Sequence, residues 1–280
     1  MARLAAGRIA AVCALLQMLL AAQHPATAQS TVPTAAPTTA EGIAKYREMI
    51  ADGNPAELYE AKGEALWKQA AGPKQATLER CDLGLGPGVV KGAYARLPRY
   101  FTDTDRVQDA ESRLMTCMQT LQGFDAAELV KTTFGQGRKA DLVALATYVS
   151  GESKGVMVDV RPRHPKEREM LALGRRAFYL QAGTHDFSCA SCHGEEGRRI
   201  RLQDLPNLTT PEGAAKGWTT WPAYRVSNGQ MWSMQYRLND CFRQQRFPEP
   251  VYGSELTIAL SYFMASQSSG APMATPGIKR

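Results

Sequence analysis

Apolar and polar positions fall into two matched series along this chain. Leu142-Val-Ala-Leu-Ala-Thr-Tyr148 and Leu256-Thr-Ile-Ala-Leu-Ser-Tyr262 each place apolar residues at helical spacing, and each predicts an amphipathic helix. Upstream of each lies a second helix signature, Gly63-Glu-Ala-Leu-Trp67 and Gly174-Arg-Arg-Ala-Phe178. A glycine and an aromatic four positions apart share one helix face, and the missing side chain lets another helix cross closely. Between these landmarks, Cys81 follows Gly63 and Cys189 follows Gly174, while Arg113-Leu-Met-Thr-Cys117 matches Arg237-Leu-Asn-Asp-Cys241. Four paired landmarks in one order predict a duplicated, mostly helical unit. In the second unit the first and last helices are expected at Glu167–Gln181 and Glu255–Ser266, with Pro-, Gly-, Asn- and Trp-rich loops between them. The units divide as 42–153 and 154–280, with a linker near Ser150–Pro165 punctuated by Gly151, Gly155, Pro162 and Pro165. The charges of Arg161-Pro-Arg-His-Pro-Lys166 read as a solvated part of that linker, and Ser269-Gly-Ala-Pro-Met-Ala-Thr-Pro276 reads as a frayed end.

A different pattern opens the chain. Residues 1–28 carry Arg3 and Arg8, no acidic residue, and an apolar run from Ile9 to Ala22 broken only by Gln17. They end in the small-x-small site Ala26-Thr27-Ala28. This is the layout of a secretory signal peptide, too short for a membrane span. No later stretch is comparably apolar, so the mature protein is expected in the periplasm, with no membrane partner. Residues 29–41 are rich in Pro, Thr and Ala and predict a disordered tail. Loss of Arg3 and Arg8 with the leader takes the formal charge from +6 to +4. That mild excess steers anionic substrates and acidic partners. No basic stripe with interleaved aromatics points to nucleic acid.

One motif adds chemistry to this outline. Cys189-Ala-Ser-Cys-His193 has the spacing of a c-type haem attachment site. Two thiols three positions apart on one helical turn reach both vinyl groups of a porphyrin, and the next residue, His193, lies under the iron as proximal ligand. A structural zinc site needs four ligands, and no second knuckle is present. A thioredoxin-like dithiol is the other reading of the same spacing. The two-unit layout then resembles tandem class I cytochrome c domains, in which the terminal helices cross near the glycine and the facing aromatic. The corresponding stretch of the first unit, Cys81-Asp-Leu-Gly-Leu85, lacks the second cysteine and the histidine, so that unit is expected to hold no covalent haem.

Six cysteines occur, and Cys13 leaves with the leader. With Cys189 and Cys192 consumed as thioethers, Cys81, Cys117 and Cys241 remain, and an oxidising compartment can pair two of them. The repeat favours Cys81 with Cys117, across the space that a haem would otherwise fill, although connectivity is not fixed by sequence. Closing a loop of that length contributes ~3–4 kcal/mol on the chain-entropy account. Cys241 is then the leftover thiol: a buried inert cysteine, an intermolecular disulfide, or a sixth ligand to iron. Arg237 lies one helical turn before it, where a guanidinium can hold an oxyanion or pair with a haem propionate. Arg237 and Arg243 also favour the thiolate. Met231, Met234 and Met264 compete as thioether ligands, while His185 lies on the proximal side and His164 in the linker. On chemistry alone Cys241 and a methionine rank equally.

The segment Arg237-Leu-Asn-Asp-Cys241-Phe-Arg-Gln-Gln-Arg-Phe-Pro-Glu-Pro250, downstream of Cys189-x-x-Cys-His193, resembles the SoxA subunits of SoxAX cytochromes from bacterial sulfur-oxidising systems. The likeness extends to Asp52-Gly-Asn-Pro-Ala-Glu-Leu-Tyr-Glu-Ala-Lys-Gly-Glu-Ala-Leu-Trp67 and Leu97-Pro-Arg-Tyr100. Some members carry two haems. At Cys81–Leu85 this chain resembles the single-haem variants, in which the first site becomes a disulfide. The resemblance implies an L-cysteine S-thiosulfotransferase that joins thiosulfate to a cysteine of the carrier SoxYZ. It implies one haem c, His193 and Cys241 as axial ligands, Cys241 carried as a persulfide, Arg237 binding thiosulfate, and SoxX as a cytochrome partner in a heterodimer. The competing expectation is a plain electron-transfer cytochrome with no bond-forming chemistry.

Overall fold

The structure is a computed structural model that describes residues 38–51, 53–131, 133–200 and 203–280. The predicted leader at 1–28 and most of the tail at 29–41 lie outside the described residues. Thr39–Glu41, assigned by sequence to that tail, instead open helix α1 (Thr39–Ala51). The Thr38 N–H donates to the Glu41 carboxylate at 2.7 Å, which gives the helix a local start. Tyr46–Arg280 form one compact unit.

Its first half contains α2 (Ala56–Lys68), the antiparallel pair β1 (Arg99–Phe101) and β2 (Arg106–Gln108), α3 (Ala110–Cys117), α4 (Ala126–Lys131) and α5 (Gly137–Gly151). Its second half contains α6 (Pro165–Tyr179), α7 (Cys189–His193), the short pair β3 (Arg199–Ile200) and β4 (Gln203–Asp204), and α8 (Pro211–Trp218). Strands β5 (Ala223–Arg225) and β6 (Gln230–Trp232) follow, then α9 (Met234–Gln244), α10 (Glu255–Gln267) and β7 (Gly277–Lys279). The architecture is mostly helical, as the periodicity predicts.

The two glycines set both helix pairs. In the first half α2 packs on α5, and a Cβ on Gly63 would meet the Ala144 carbonyl oxygen at 2.1 Å. In the second half α6 packs on α10, and a Cβ on Gly174 would meet the Ala259 oxygen at 2.0 Å. No side chain fits there, so the backbones touch. The aromatic one turn on closes each crossing: Trp67 lies 6.3 Å from Tyr148, and Phe178 lies 5.0 Å from Phe263, between ring centroids. Phe178 is 1% exposed, and burying such a side chain contributes about 1.5–3 kcal/mol. These contacts correct the sequence register by one position: Tyr148 corresponds to Phe263, not to Tyr262.

A second correction concerns the last helices. α5 and α10 are not amphipathic. Leu142–Thr147 and Thr257–Ala265 are buried throughout, Ser261 included. The reason is topological: α10 is covered by α6 on one side and by α8 and α9 on others, which leaves it no wet face.

The first half is closed by a disulfide between Cys81 and Cys117, Cα atoms 5.6 Å apart, in the same apolar core as Leu83, Leu97 and Leu114. That core runs on without interruption into Phe178, Trp232 and Tyr262 of the second half.

The chain end is not frayed. The Gly155 N–H donates to the Met273 carbonyl, Met273 to Val156, Val158 to Ala271 and Gly270 to Val158, all at 2.8–2.9 Å, so the linker and the end form a ladder. Met273 and Thr275 are buried, and Thr275 meets Ser150 hydroxyl to hydroxyl at 3.0 Å. β7 then pairs in parallel with β5, which is antiparallel to β6. Apolar anchors spaced along an otherwise Pro- and Gly-rich stretch produce this order. The linker is likewise built in. Val158 and Val160 are buried, and His164 caps α6 and stacks on Tyr100 with ring centroids 3.7 Å apart. Arg161 and Arg163 do face solvent, but both pair with Asp159 at 2.8 Å.

Gly174→Ala is expected to lower unfolding free energy by about 3 kcal/mol, because the added methyl meets backbone rather than a movable side chain. Urea titration followed by far-UV circular dichroism checks this.

Candidate haem and sulfur site

α7 is short and its fold is local. Ser188 caps it: its hydroxyl accepts from the Ser191 N–H at 3.2 Å, and its own N–H donates to the Ser191 hydroxyl at 3.0 Å. One helical turn thereby presents Cys189, Cys192 and His193 together. None of the three is fully buried, although α7 packs on α6 beside the core. The His193 ring is held from behind. Its Nδ1 lies 2.9 Å from the Pro206 carbonyl oxygen, an acceptor only, so Nδ1 carries the proton and donates. Nε2 keeps its lone pair, which is the form a metal needs. Burial pushes the His193 pKa below its ordinary value, and the charge of Arg237 pushes the same way. Both keep the ring neutral.

α9 supplies the opposite set. Ser233 caps its start by accepting from the Tyr236 N–H at 3.1 Å. Arg237 and Cys241 then follow one turn apart. Cys241 is half-buried and unbonded. The Cys189 thiol is pushed up to about 12, first by burial and then by the negative charge of Cys241 and Cys192. The three sulfurs, the imidazole and the Arg237 guanidinium therefore share one neighbourhood. Asp240, almost wholly buried, sets the charges: it pairs with Arg237 at 3.0 Å and Arg243 at 2.5 Å, and accepts from Gln244 at 2.5 Å.

The competing ligands are mostly engaged in packing or capping. Met231 packs against Ala56 and Val143 of the first half. Met234 and Met264 belong to the main core. His164 caps α6, and His185 is exposed beside Phe187.

Three residues escaped the sequence reading. The buried N–H groups Trp218 Nε1, Trp232 Nε1 and Arg225 Nε have no acceptor, and no such donor occurs in the first half among the described residues. The Arg225 guanidinium lies over the Trp232 ring, 5.1 Å from its centroid. Burial lowers the Arg225 pKa from its ordinary value. The neighbouring charge of Arg237 lowers it further, while Asp240 and Cys241 pull it up. Buried donors without acceptors are costly, so an acceptor-bearing group belongs beside Arg225 and Trp232, next to Arg237 and Cys241, whereas Trp218 stacks on Tyr94 of the first half. A haem fits on two counts. Its carboxylates accept from such donors, and Cys189, Cys192 and His193 supply both thioether positions and a neutral imidazole. Asp240 was within reach of sequence, at helical spacing from Arg237. Arg225 and Trp232 were not, because a strand pairing brings them together.

A family model described as SoxA/TsdA, cytochrome c domain, matches residues 62–158 and 173–273 of the chain, which include every residue of this site. The chain belongs to this family. A protein of Hydrogenophilus thermoluteolus, named L-cysteine S-thiosulfotransferase subunit SoxA, is 58% identical over 240 residues, covering 86% of this chain and 88% of that one. One of Hydrogenobacter thermophilus with the same name is 36% identical over 245 residues, covering 86% and 89%. Among solved structures, SoxXA from P. pantotrophus aligns with a TM-score of 0.69 at 22% identity, covering 84% of each chain, and shares the fold. Membership makes the chain a c-type cytochrome of the thiosulfate-oxidising kind.

Proposed function

We propose that the chain works as an L-cysteine S-thiosulfotransferase subunit. In this reading Cys189 and Cys192 would hold one haem c, and His193 and Cys241 would supply its nitrogen and sulfur ligands. The observation that carries it is the α9 helix: a sulfur and a guanidinium one turn apart, beside the haem-attachment turn. Periplasmic location follows from the leader, and no helix among the described residues is long and apolar enough to cross a membrane. The cytochrome partner is a SoxX-type subunit, and the acceptor of the sulfur group is a cysteine of a SoxYZ-type carrier.

The overall reaction joins a carrier thiol and thiosulfate through a new S–S bond. It releases one proton and two electrons, which pass to the cytochrome partner, and leaves a cysteine S-thiosulfonate. When bound, the haem supplies a ferric centre that an anionic sulfur ligand keeps at low potential. Cys241, carried as a persulfide, is the covalent way-station for sulfur, and covalent catalysis divides one difficult coupling into two easier ones. Arg237 binds the thiosulfate dianion through its planar fork, and Asp240 fixes the angle of that fork from below. The competing reading, plain electron transfer, leaves Arg237 to pair with a haem propionate and Cys241 as a ligand alone, with no use for the two side by side.

The mature protein is expected to show a mass increased by one haem, with one disulfide. Two haems would remove this reading of the first half. Cys241→Ala is expected to abolish thiosulfate-dependent coupling and to change the haem absorption spectrum. Retained turnover removes Cys241 from the coupling chemistry, and absence of coupling in the native protein with its partner identifies a plain electron carrier instead. Arg237→Lys is expected to raise the thiosulfate KM about tenfold with a smaller effect on kcat, since a point charge replaces a two-pronged donor. Steady-state kinetics at fixed ionic strength checks this, and an unchanged KM counts against the assignment.

A further inference from the structure

We propose that Glu111, a residue of the haem-less half, is a positioning residue for the sulfur chemistry of the other half, because it holds both ends of the segment that carries Arg237 and Cys241. This rests on the reading of α9 given above.

Glu111 lies in the first turn of α3 and is 2% exposed. Its carboxyl grips α9 at the front: Oε2 accepts from the Gln235 main-chain N–H at 3.2 Å, and the Ser233 hydroxyl is a further partner. It grips the chain beyond the end of α9 as well, because the Tyr252 hydroxyl donates to Oε1. Gln235 doubles both connections. Its side chain, fully buried, accepts from the Gly253 N–H at 3.2 Å and donates to Asp109 at 2.5 Å. Asp109 is the residue that caps α3. Two side chains of one half thus fasten the first turn of α9 and the turn at Tyr252–Gly253. The first N–H groups of a helix have no partner within it, and here a residue from another element supplies one.

The network carries no counter-charge. No ion pair among the described residues includes Glu111. Asp109, Tyr94, Ser233, Gln235 and Tyr252 face it, and the Lys139 ammonium reaches only the Tyr252 ring, 5.1 Å from its centroid. Burial, with the charge of Asp109 adding, raises the Glu111 pKa to about 8. At neutral pH the group is therefore a neutral acid that donates as well as accepts. Its raised value favours the folded state fully below the unfolded value near 4.5, and that contribution is lost as pH climbs toward 8. Ionisation above that point places an uncompensated charge beside Asp109 and loosens the α9 anchor.

The test uses the haem-loaded full chain with its cytochrome partner. Haem absorption is followed from pH 6 to 10, and kcat and KM for thiosulfate are measured. In the native protein the band sensitive to the Cys241 ligand is expected to change with a midpoint near pH 8. Glu111→Gln imitates the protonated acid and is expected to keep the native spectrum at pH 6.5 and lose that transition. Glu111→Ala is expected to shift the spectrum at every pH and to lower kcat about tenfold or more. A folded Glu111→Ala protein with native spectrum and kinetics overturns the proposal. Should the alanine variant not fold, a pH 8 transition that persists in Glu111→Gln overturns it. Failure of the parent reading looks different, because Cys241→Ala then leaves the haem spectrum unchanged.

Discussion

Each half of this molecule is organised by one point at which two helices meet backbone to backbone. Gly63 against Ala144 and Gly174 against Ala259 are contacts of main chain on main chain, with no room for a methyl group. Everything else is placed from them. The aromatic one turn beyond each glycine drops into the facing helix. The last helix of each half is buried along most of its length, and the loops between the two helices are free to be irregular because they carry no share of the crossing. In the second half one of those loops holds the His193 ring through the Pro206 carbonyl, beside the space a haem would fill. In the first half the same space is closed by Cys81–Cys117 and the apolar residues around it.

The duplicated Arg-x-x-x-Cys shows how one local pattern serves two ends. Arg113 is buried and fully engaged. Its Nε donates to the Asp82 carbonyl at 2.6 Å, its fork pairs with Asp103 at 2.8 Å, and the Phe101 ring lies 4.0 Å below. Cys117 four residues on is spent in the disulfide. Arg237 keeps a partly open side chain with a single carboxylate partner, and Cys241 keeps its sulfur. The first copy therefore has both side chains engaged, while the second holds a partly exposed guanidinium and a free thiol in reserve. Arg225, with an unpartnered Nε beside Arg237, adds to that reserve.

How far the sequence reaches follows the range of the interactions involved. The attachment turn, the two glycine crossings and the α9 pair Arg237 and Cys241 are all local spacings, and all are legible. Features that depend on distant segments are not. The closure of the chain end on the linker is set by Met273, Thr275 and the parallel pairing of β7 with β5, and nothing local announces it. The one-residue shift between the two last helices is invisible because both stretches are apolar at every turn, so periodicity cannot fix their register. Glu111 reads as an ordinary first-turn acid of a helix until the fold buries it against Gln235 and Tyr252.

The returning end has a consequence for how the molecule lives as a duplicate. Residues 270–273 zip onto 155–158, Asn54 in the first half bonds to the Pro276 carbonyl at 3.2 Å, and β7 finishes a sheet in the second. A cut at the boundary between the copies would leave open edges on both fragments. Duplication ordinarily yields separable beads. Here residues 270–280 act as a lace drawn through both eyelets, so neither copy can drift, be lost or be exchanged alone.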